Sequence, residues 1–249
     1  MAKHPYALQL YTVRDHLANN LGDTLKQVKK IGYDTVELAG LAGATPTEFR
    51  KSLNAAGLKA ISAHIAYEEI TANTASVIET ANTLGLKYVV VPRIPNTLTP
   101  DKDGWINCAK TLDATGAQLR KAGLRLCYHN HAHEFQWLEG QLCLDLLFQH
   151  AAPENLAAQI DVFWVQYAGS KPVDILAKYA GRCPLLHVKE MLDMKSRAFA
   201  EMGEGILKWD LIFKAAEQAG VEWYIVEQDA CARDSLDSAR ISAGFMAQH

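Results

Sequence analysis

Short runs of β-branched and other apolar residues alternate along the chain with longer stretches in which apolar positions recur every three or four residues, the period of a helix with one buried face. The short runs predict strands at Ala7–Tyr11, Thr35–Leu38, Lys59–His64, Tyr88–Pro92, Arg125–His129, Ala157–Asp161, Leu185–Val188 and Trp223–Glu227. The longer stretches predict helices at Thr24–Ile31, Pro46–Ala56, Thr71–Leu84, Gly104–Ala122, Leu144–His150, Pro172–Tyr179, Trp209–Ala219 and Ser235–Met246. Several predicted helices end on one punctuation, a glycine followed by an apolar residue, as in Ala56-Gly57-Leu58 and Ala219-Gly220-Val221. Glycine accepts the left-handed conformation that stops a helix, and the apolar residue starts the return to the next strand. Eight such units, with no GxGxxG after the first strand, predict an α/β fold, a single-domain (β/α)8 TIM barrel over residues 1–249, rather than an open doubly wound sheet.

In such a barrel the carboxyl ends of the strands face the active-site mouth. Polar residues gather at that end here. Gln9 and Tyr11 close the first strand, Glu37 the second and His64 the third, and Arg93 follows the fourth. The fifth ends in Tyr128-His129-Asn130-His131 with Glu134 close behind, and the last three end in Asp161, His187 and Glu227. Taken singly, each is as well explained by an ordinary hydrogen-bonded loop residue; their joint placement points to one site. Asp161, His187 and Glu227 mix oxygen and imidazole donors, a set suited to one divalent metal ion (Mn, Mg, Co or Zn) with positions left open for substrate oxygens.

Composition narrows the partners. The 249 residues, 49% hydrophobic, suffice for a full core in one domain, and the length fits the roughly 250 residues of a TIM barrel. A formal net charge of -3 gives no general attraction to phosphate backbones or anionic surfaces, so neither nucleic acid nor membrane is expected as a partner. Five widely spaced cysteines form no CxxC pair, which fits reduced thiols. Met1 to Pro5 lacks the apolar segment of an export signal, and no apolar run nears the roughly 20 residues of a bilayer span, so a cytoplasmic location is expected.

At these residues the chain resembles the sugar phosphate isomerase/epimerase superfamily, the xylose isomerase-like TIM barrels of the AP endonuclease 2 type. The likeness runs from Leu8-Gln9-Leu10-Tyr11 through Gly32-Tyr33-Asp34-Thr35-Val36-Glu37, Tyr128-His129-Asn130-His131, Leu186-His187-Val188-Lys189-Glu190 and Gly203-Glu204-Gly205 to Val226-Glu227. The resemblance implies one metal held by Glu, Asp, His and Glu from strands five to eight. The last three correspond to Asp161, His187 and Glu227, whereas Cys127 stands where the first carboxylate is expected. Glu134 or His129 can fill the gap; Glu134 is preferred, because a second carboxylate favours a hard divalent ion. His131 and His133 read as residues that orient ligands or lie at the surface. Lys189 alternates to the side of His187 and is long enough to reach a substrate oxygen, against the plainer reading of a surface lysine paired with Glu190. The resemblance also makes a homo-oligomer possible.

The chemistry expected of such a site is a metal-dependent isomerase or epimerase that abstracts a proton next to a carbonyl of a sugar, keto-sugar or sugar phosphate, through a metal-stabilised enediolate. Glu227 serves as base, and Glu134 or His129 acts from the other face. The alternative, from the same intermediate, is a dehydratase on a keto-sugar or cyclitol of the inosose dehydratase type. A nuclease on abasic DNA fits the acidic balance poorly, and a non-catalytic sugar-binding barrel is the reading if the metal site is void. Tyr11, Tyr67, Phe135, Trp137, Phe163 and Trp164 are candidate stacking surfaces for the sugar, Gln9, Glu37, His64, His131 and Glu204 candidate hydrogen-bonding groups, and Arg93 a candidate anchor for a phosphate or carboxylate.

Overall fold

The structure, a computed structural model, describes residues 4–249; Met1 to Lys3, with which the stretch examined for an export signal begins, lie outside the described residues. Eight parallel strands close into a barrel: β1 (Tyr6–Gln9), β2 (Thr35–Ala39), β3 (Lys59–His64), β4 (Tyr88–Val91), β5 (Arg125–His129), β6 (Ala157–Asp161), β7 (Leu185–Val188) and β8 (Trp223–Val226). β1 completes the ring, pairing with β8 in the register Tyr6↔Tyr224 and Leu8↔Val226 and with β2 through Gln9↔Glu37. No helix among the described residues is long and apolar enough to cross a membrane.

Strand alternation sends side chains into two different environments. Outward residues such as Val36, Val89, Leu126, Tyr128, Ile160, Leu186 and Val226 join the continuous apolar core beneath the helices. Inward residues at the amino ends form a small plug of Tyr88, Val90, Cys127, Ala157 and Leu185, with Ile61 and Trp223 against it. Above the plug the inward positions turn polar yet stay buried: Gln9, Glu37, Ser62, His129, Gln159, Asp161 and His187. Cys127 therefore belongs to the plug, and the next inward position on its strand is His129.

Helices Pro46–Ala56, Trp209–Ala219 and Ser235–Met246 carry the bounds their periodicity predicts. The first shows why: Thr45 and Glu48 form a reciprocal capping box, Pro46 opens the first turn, and Gly57 ends the helix at φ 72°. Other bounds move. The first strand stops at Gln9 because its side chain accepts from the Tyr11 amide and opens a 3-10 turn over Leu10–Val13, which takes Tyr11 out of the strand. The stretch predicted as one helix over Thr71–Leu84 is two, Tyr67–Ala72 and Thr74–Leu84, broken at Asn73. Two small antiparallel ribbons, Trp137–Leu138 with Gln141–Leu142 and Glu190–Met191 with Phe199–Ala200, are too short to leave a period in the sequence.

Glu190 does not pair with Lys189. Its buried carboxylate accepts from the amides of Met191, Gly203 and Leu207 and from Trp209 Nε1, and so ties the loop after β7 to the barrel rim. Gly205 is required in that loop, since a Cβ there would lie 2.2 Å from the Met191 carbonyl oxygen.

The segment after β5 folds back on its own strand. Glu134 Oε1 accepts from the Tyr128 hydroxyl at 2.7 Å and Oε2 from the His131 amide at 2.9 Å, while His133 Nδ1 lies 3.2 Å from Oε2. Burial pushes the Glu134 carboxyl up to about 7, against the opposing pull of those hydrogen bonds. Burial, aided by nearby Arg93, pushes His133 the other way, down to about 4.

These shifts set opposite pH slopes. A carboxyl raised from 4.5 to about 7 in the fold contributes stability that is fully present below pH 4.5 and is lost as pH rises towards 7. A histidine lowered from 6.5 to about 4 contributes stability present above pH 6.5 and lost as pH falls towards 4. Replacing Glu134 by Gln removes the first slope only. In urea unfolding, wild type should therefore lose stability relative to Glu134→Gln between pH 4.5 and pH 7, by up to an order of 3 kcal/mol. A difference that is flat over that range would contradict the burial-driven shift.

Candidate active site

The polar layer is organised by Glu37, fully buried on β2. Oε1 accepts from Gln9 Nε2 at 2.8 Å and lies 2.7 Å from His187 Nε2 and 3.0 Å from His64 Nε2. Oε2 accepts from Ser62 Oγ and Gln159 Nε2, each at 2.6 Å. Burial alone would raise the Glu37 pKa; the imidazoles of His64 and His187, with their hydrogen bonds, outweigh it and hold the carboxyl well below its ordinary range.

An ionised carboxylate only accepts, so it dictates the orientation of its neighbours. Gln159 must turn its NH2 towards Glu37. Its oxygen then faces His129 Nδ1 at 3.1 Å and His64 Nε2 at 2.8 Å. His129 accordingly carries its proton on Nδ1 and offers the Nε2 lone pair towards Asp161, whose Oδ2 is 3.8 Å away. Burial, and then the nearby His187, push the His129 pKa well down, which keeps the ring neutral. Glu37 likewise takes the Nε2 proton of His187, and Nδ1–H donates to Glu227 Oε2 at 2.8 Å; burial would lower the His187 pKa, but the Glu37 and Glu227 carboxylates raise it to about 10, so the ring is an imidazolium whose Nδ1 gives up its proton if it binds a cation.

Asp161 ends β6 and caps the short helix Val162–Tyr167. Its Oδ1 accepts from the amides of Phe163 and Trp164, while the Asn130 side chain takes the Asp161 amide. That leaves Oδ2 buried, with Lys189 Nζ 3.0 Å away but no donor aligned as a hydrogen bond. Burial raises the Asp161 pKa, against the pull of Lys189 and His187. One donor atom from each of His129, Asp161, His187 and Glu227 lies within 4.8 Å of the others. Two imidazoles and two carboxylates, one with an orphaned oxygen, with a carboxylate behind each imidazole directly or through Gln159, fit a divalent cation.

Lys189 is not at the surface. Only 1% exposed, its ammonium lies 2.8 Å from Glu227 Oε2 and 3.1 Å from Asp229 Oδ1, as well as near Asp161. Burial would lower its pKa; the Asp161, Glu227 and Asp229 carboxylates more than reverse that and keep it charged. Burial and then the opposing pull of Lys189 act on Asp229, and repulsion from Glu227 and Asp161 helps bring its carboxyl up to about 6.

Two of the donors, His129 and Glu227, line a cavity of about 460 Å³, the size of a small-ligand site, bordered also by Tyr11, His64, His131, Lys189 and Asp229, whereas Asp161 and His187 are fully buried outside its lining. A cleft of about 440 Å³ at the opposite end, around Ile61 and Trp223, has no carboxylate in its lining. Trp164 flanks the site, its ring 5.7 Å from Lys189 Nζ and 5.4 Å from the His131 ring.

Several sequence candidates are not brought here. Glu134, preferred as the fourth ligand, is turned back against Tyr128 on the outward face of β5 and joins His131 and His133 instead. Glu204 pairs with exposed Arg233, and exposed Arg93 bonds to Asn96. Trp137 projects into solvent, 69% exposed, whereas Tyr67, Phe135 and Phe163 are packing residues. Gln159, Ser62 and Asp229 were missed. Gln159 and Asp229 share inward parity with Asp161 and Glu227, two residues away in each case, and that parity is the signal that finds them.

With this geometry in hand, comparison with known proteins gives a consistent family. The xylose isomerase-like TIM barrel profile matches residues 25–249. An inosose dehydratase from Geobacillus kaustophilus is 24% identical over 86% of this chain and 81% of its own. In fold, the chain is similar to a sugar phosphate isomerase/epimerase from Parabacteroides distasonis, at TM-score 0.87 and 22% identity, over 99% of this chain and 95% of that one. It is similar also to the IOLI protein with a bound zinc atom, at TM-score 0.76 and 16% identity over 98% of both chains. The chain belongs to the xylose isomerase-like TIM barrel family.

Proposed function

We propose that the protein is a metal-dependent enzyme that removes a proton from the carbon next to the carbonyl of an unphosphorylated keto-sugar or cyclitol, with loss of water as the net reaction. The observation that carries this reading is the convergence of His129, Asp161, His187 and Glu227 on one point beside a monosaccharide-sized cavity that His129 and Glu227 line. Those four residues would hold the ion, which when bound supplies Lewis-acid polarisation of the substrate carbonyl.

The remaining steps belong to the chain. Glu227 Oε2 carries the contacts to His187 and Lys189, which leaves Oε1 as the oxygen to accept the carbon-bound proton. Asp229, with its carboxyl raised to about 6, and the Lys189 ammonium stand on the same wall as this base. One of them donates a proton to the departing hydroxyl, so that the C–H and C–O bonds break, a C=C bond forms and water leaves. Among the described residues the only lysine or arginine lining the cavity is Lys189, already shared among three carboxylates, so no uncommitted cationic side chain is left there to anchor a phosphate. That favours a neutral polyol, in the manner of the relative named inosose dehydratase.

Isomerisation or epimerisation, which the sequence put first, is the second reading. His131 favours it: this imidazole lines the same cavity as Glu227, is kept neutral by burial and then by Lys189, its pKa pushed down to about 3, and its Nδ1 has no partner. Neutral, it can accept a proton as a second base, which is the role that the reverse inversion of a stereocentre needs.

Incubating the Mn²⁺-loaded protein with neutral keto-sugars and cyclitols in D2O separates the readings. A product lighter by one water is expected; deuterium in a sugar of unchanged formula would instead establish isomerisation, and full turnover by Glu227→Gln would remove that residue as base. For the ligand set, His129→Ala should lose bound metal when assayed by atomic emission while Glu134→Gln retains it. The reverse pattern would restore Glu134 as the fourth ligand.

A further inference from the structure

We infer that Lys189 is an internal competitor for the metal position, and that the ion enters by driving its ammonium from Asp161 and Glu227 onto Asp229. This rests on the reading of the site as a metal centre and states how loading is controlled. The geometry is specific to individual atoms. Lys189 Nζ lies 3.0 Å from Asp161 Oδ2 and 2.8 Å from Glu227 Oε2. Asp161 has no other oxygen to give, because Oδ1 is held by the amides of Phe163 and Trp164. Glu227 Oε2 is likewise the oxygen that faces His187 Nδ1, 2.8 Å away. A divalent ion bound by the four donors needs the two oxygens beside which the ammonium lies, Glu227 Oε2 at 2.8 Å and Asp161 Oδ2 at 3.0 Å, while the ammonium's aligned hydrogen bonds already run to Asp229.

The two cations cannot share that space. At these separations like charges repel strongly in a buried site, so the ammonium must move before the ion settles. Asp229 provides the destination. It already lies 3.1 and 3.2 Å from Nζ through its two oxygens, it is outside the group of four donors, and at 25% exposure it stands nearer the cavity mouth. A lysine side chain can make so short a move by rotation alone, since its three donors swing on a flexible stem. Moved to Asp229, the ammonium borders the cavity, within reach of a substrate oxygen. Loading the metal and presenting the acid thereby become one event.

The inference makes predictions of opposite sign for two neighbouring residues. Mn²⁺ is titrated by calorimetry into wild type, Lys189→Met, Asp229→Asn and the double variant. Lys189→Met should bind Mn²⁺ about tenfold or more tightly than wild type. Asp229→Asn should weaken binding by about tenfold when Lys189 is present but by less than about twofold when it is Met, since only the lysine needs the carboxylate. A plain field effect of the Asp229 charge would weaken binding equally in both backgrounds, and that result would overturn the inference, as would an unchanged Kd for Lys189→Met. Lys189→Met leaves buried carboxylates uncompensated; should it not fold, a crystal structure of Mn²⁺-loaded wild type decides. Nζ is expected on Asp229 and out of contact with Asp161 Oδ2, and an ammonium still bridging Asp161 and Glu227 beside the ion would overturn the inference. Mn²⁺ uptake by wild type with unaltered affinity in the variants defeats this inference alone, whereas no uptake by wild type defeats the metal reading along with it.

Discussion

A single buried carboxylate sets the state of the site. Glu37 is ionised without being exposed, and it achieves this by collecting donors from Gln9, Ser62, His64, Gln159 and His187. The direction of donation then passes outward. Gln159 can turn only its NH2 to Glu37, so its oxygen fixes the proton of His129 on Nδ1; His187 gives Glu37 its Nε2 proton and turns Nδ1 to Glu227, the nitrogen that would meet a cation once its proton is lost. Two imidazoles thus present defined nitrogens, one through an amide and one directly. Such supporting contacts orient metal ligands and tune their basicity.

The arrangement has a cost that the rest of the barrel offsets. A layer of acids, amides and imidazoles above the plug gains little from apolar burial, and each group must be hydrogen-bonded to be tolerated. The plug around Tyr88, Val90 and Leu185 and the continuous core beneath the helices supply the apolar burial that this layer forgoes. Polar groups left unpaired in the interior, such as Asp161 Oδ2 and His131 Nδ1, cluster where a ligand would meet them. Strained polar satisfaction at a functional site, supported by an ordinary core elsewhere, is the expected division.

Much of this was legible in the chain, for identifiable reasons. Eight strands were read correctly because parallel strands buried on both faces appear as short apolar runs, and because glycine marks the ends of helices such as Pro46–Ala56 and Trp209–Ala219. That Asp161, His187 and Glu227 would come together was legible from their positions at strand ends. Glu134 was chosen over His129 on ligand chemistry, which ignores that a loop only a few residues long folds back to satisfy the His131 amide and the Tyr128 hydroxyl. Parity would have favoured His129. Gln159 escaped notice because an amide does not titrate, although its place two residues before Asp161 turns it inward. Lys189 could be read as surface or site with equal ease, since its three carboxylate partners come from separate segments that only the closed barrel assembles.

Whether four side chains share one cation is tested most directly by anomalous diffraction from a crystal of the wild-type protein grown with Mn²⁺. One strong anomalous peak is expected within bonding distance of His129 Nε2, Asp161 Oδ2, His187 Nδ1 and Glu227 Oε2. A peak bonded to Glu134 and His133 alone, or no peak in crystals soaked at millimolar Mn²⁺, would contradict a shared cation.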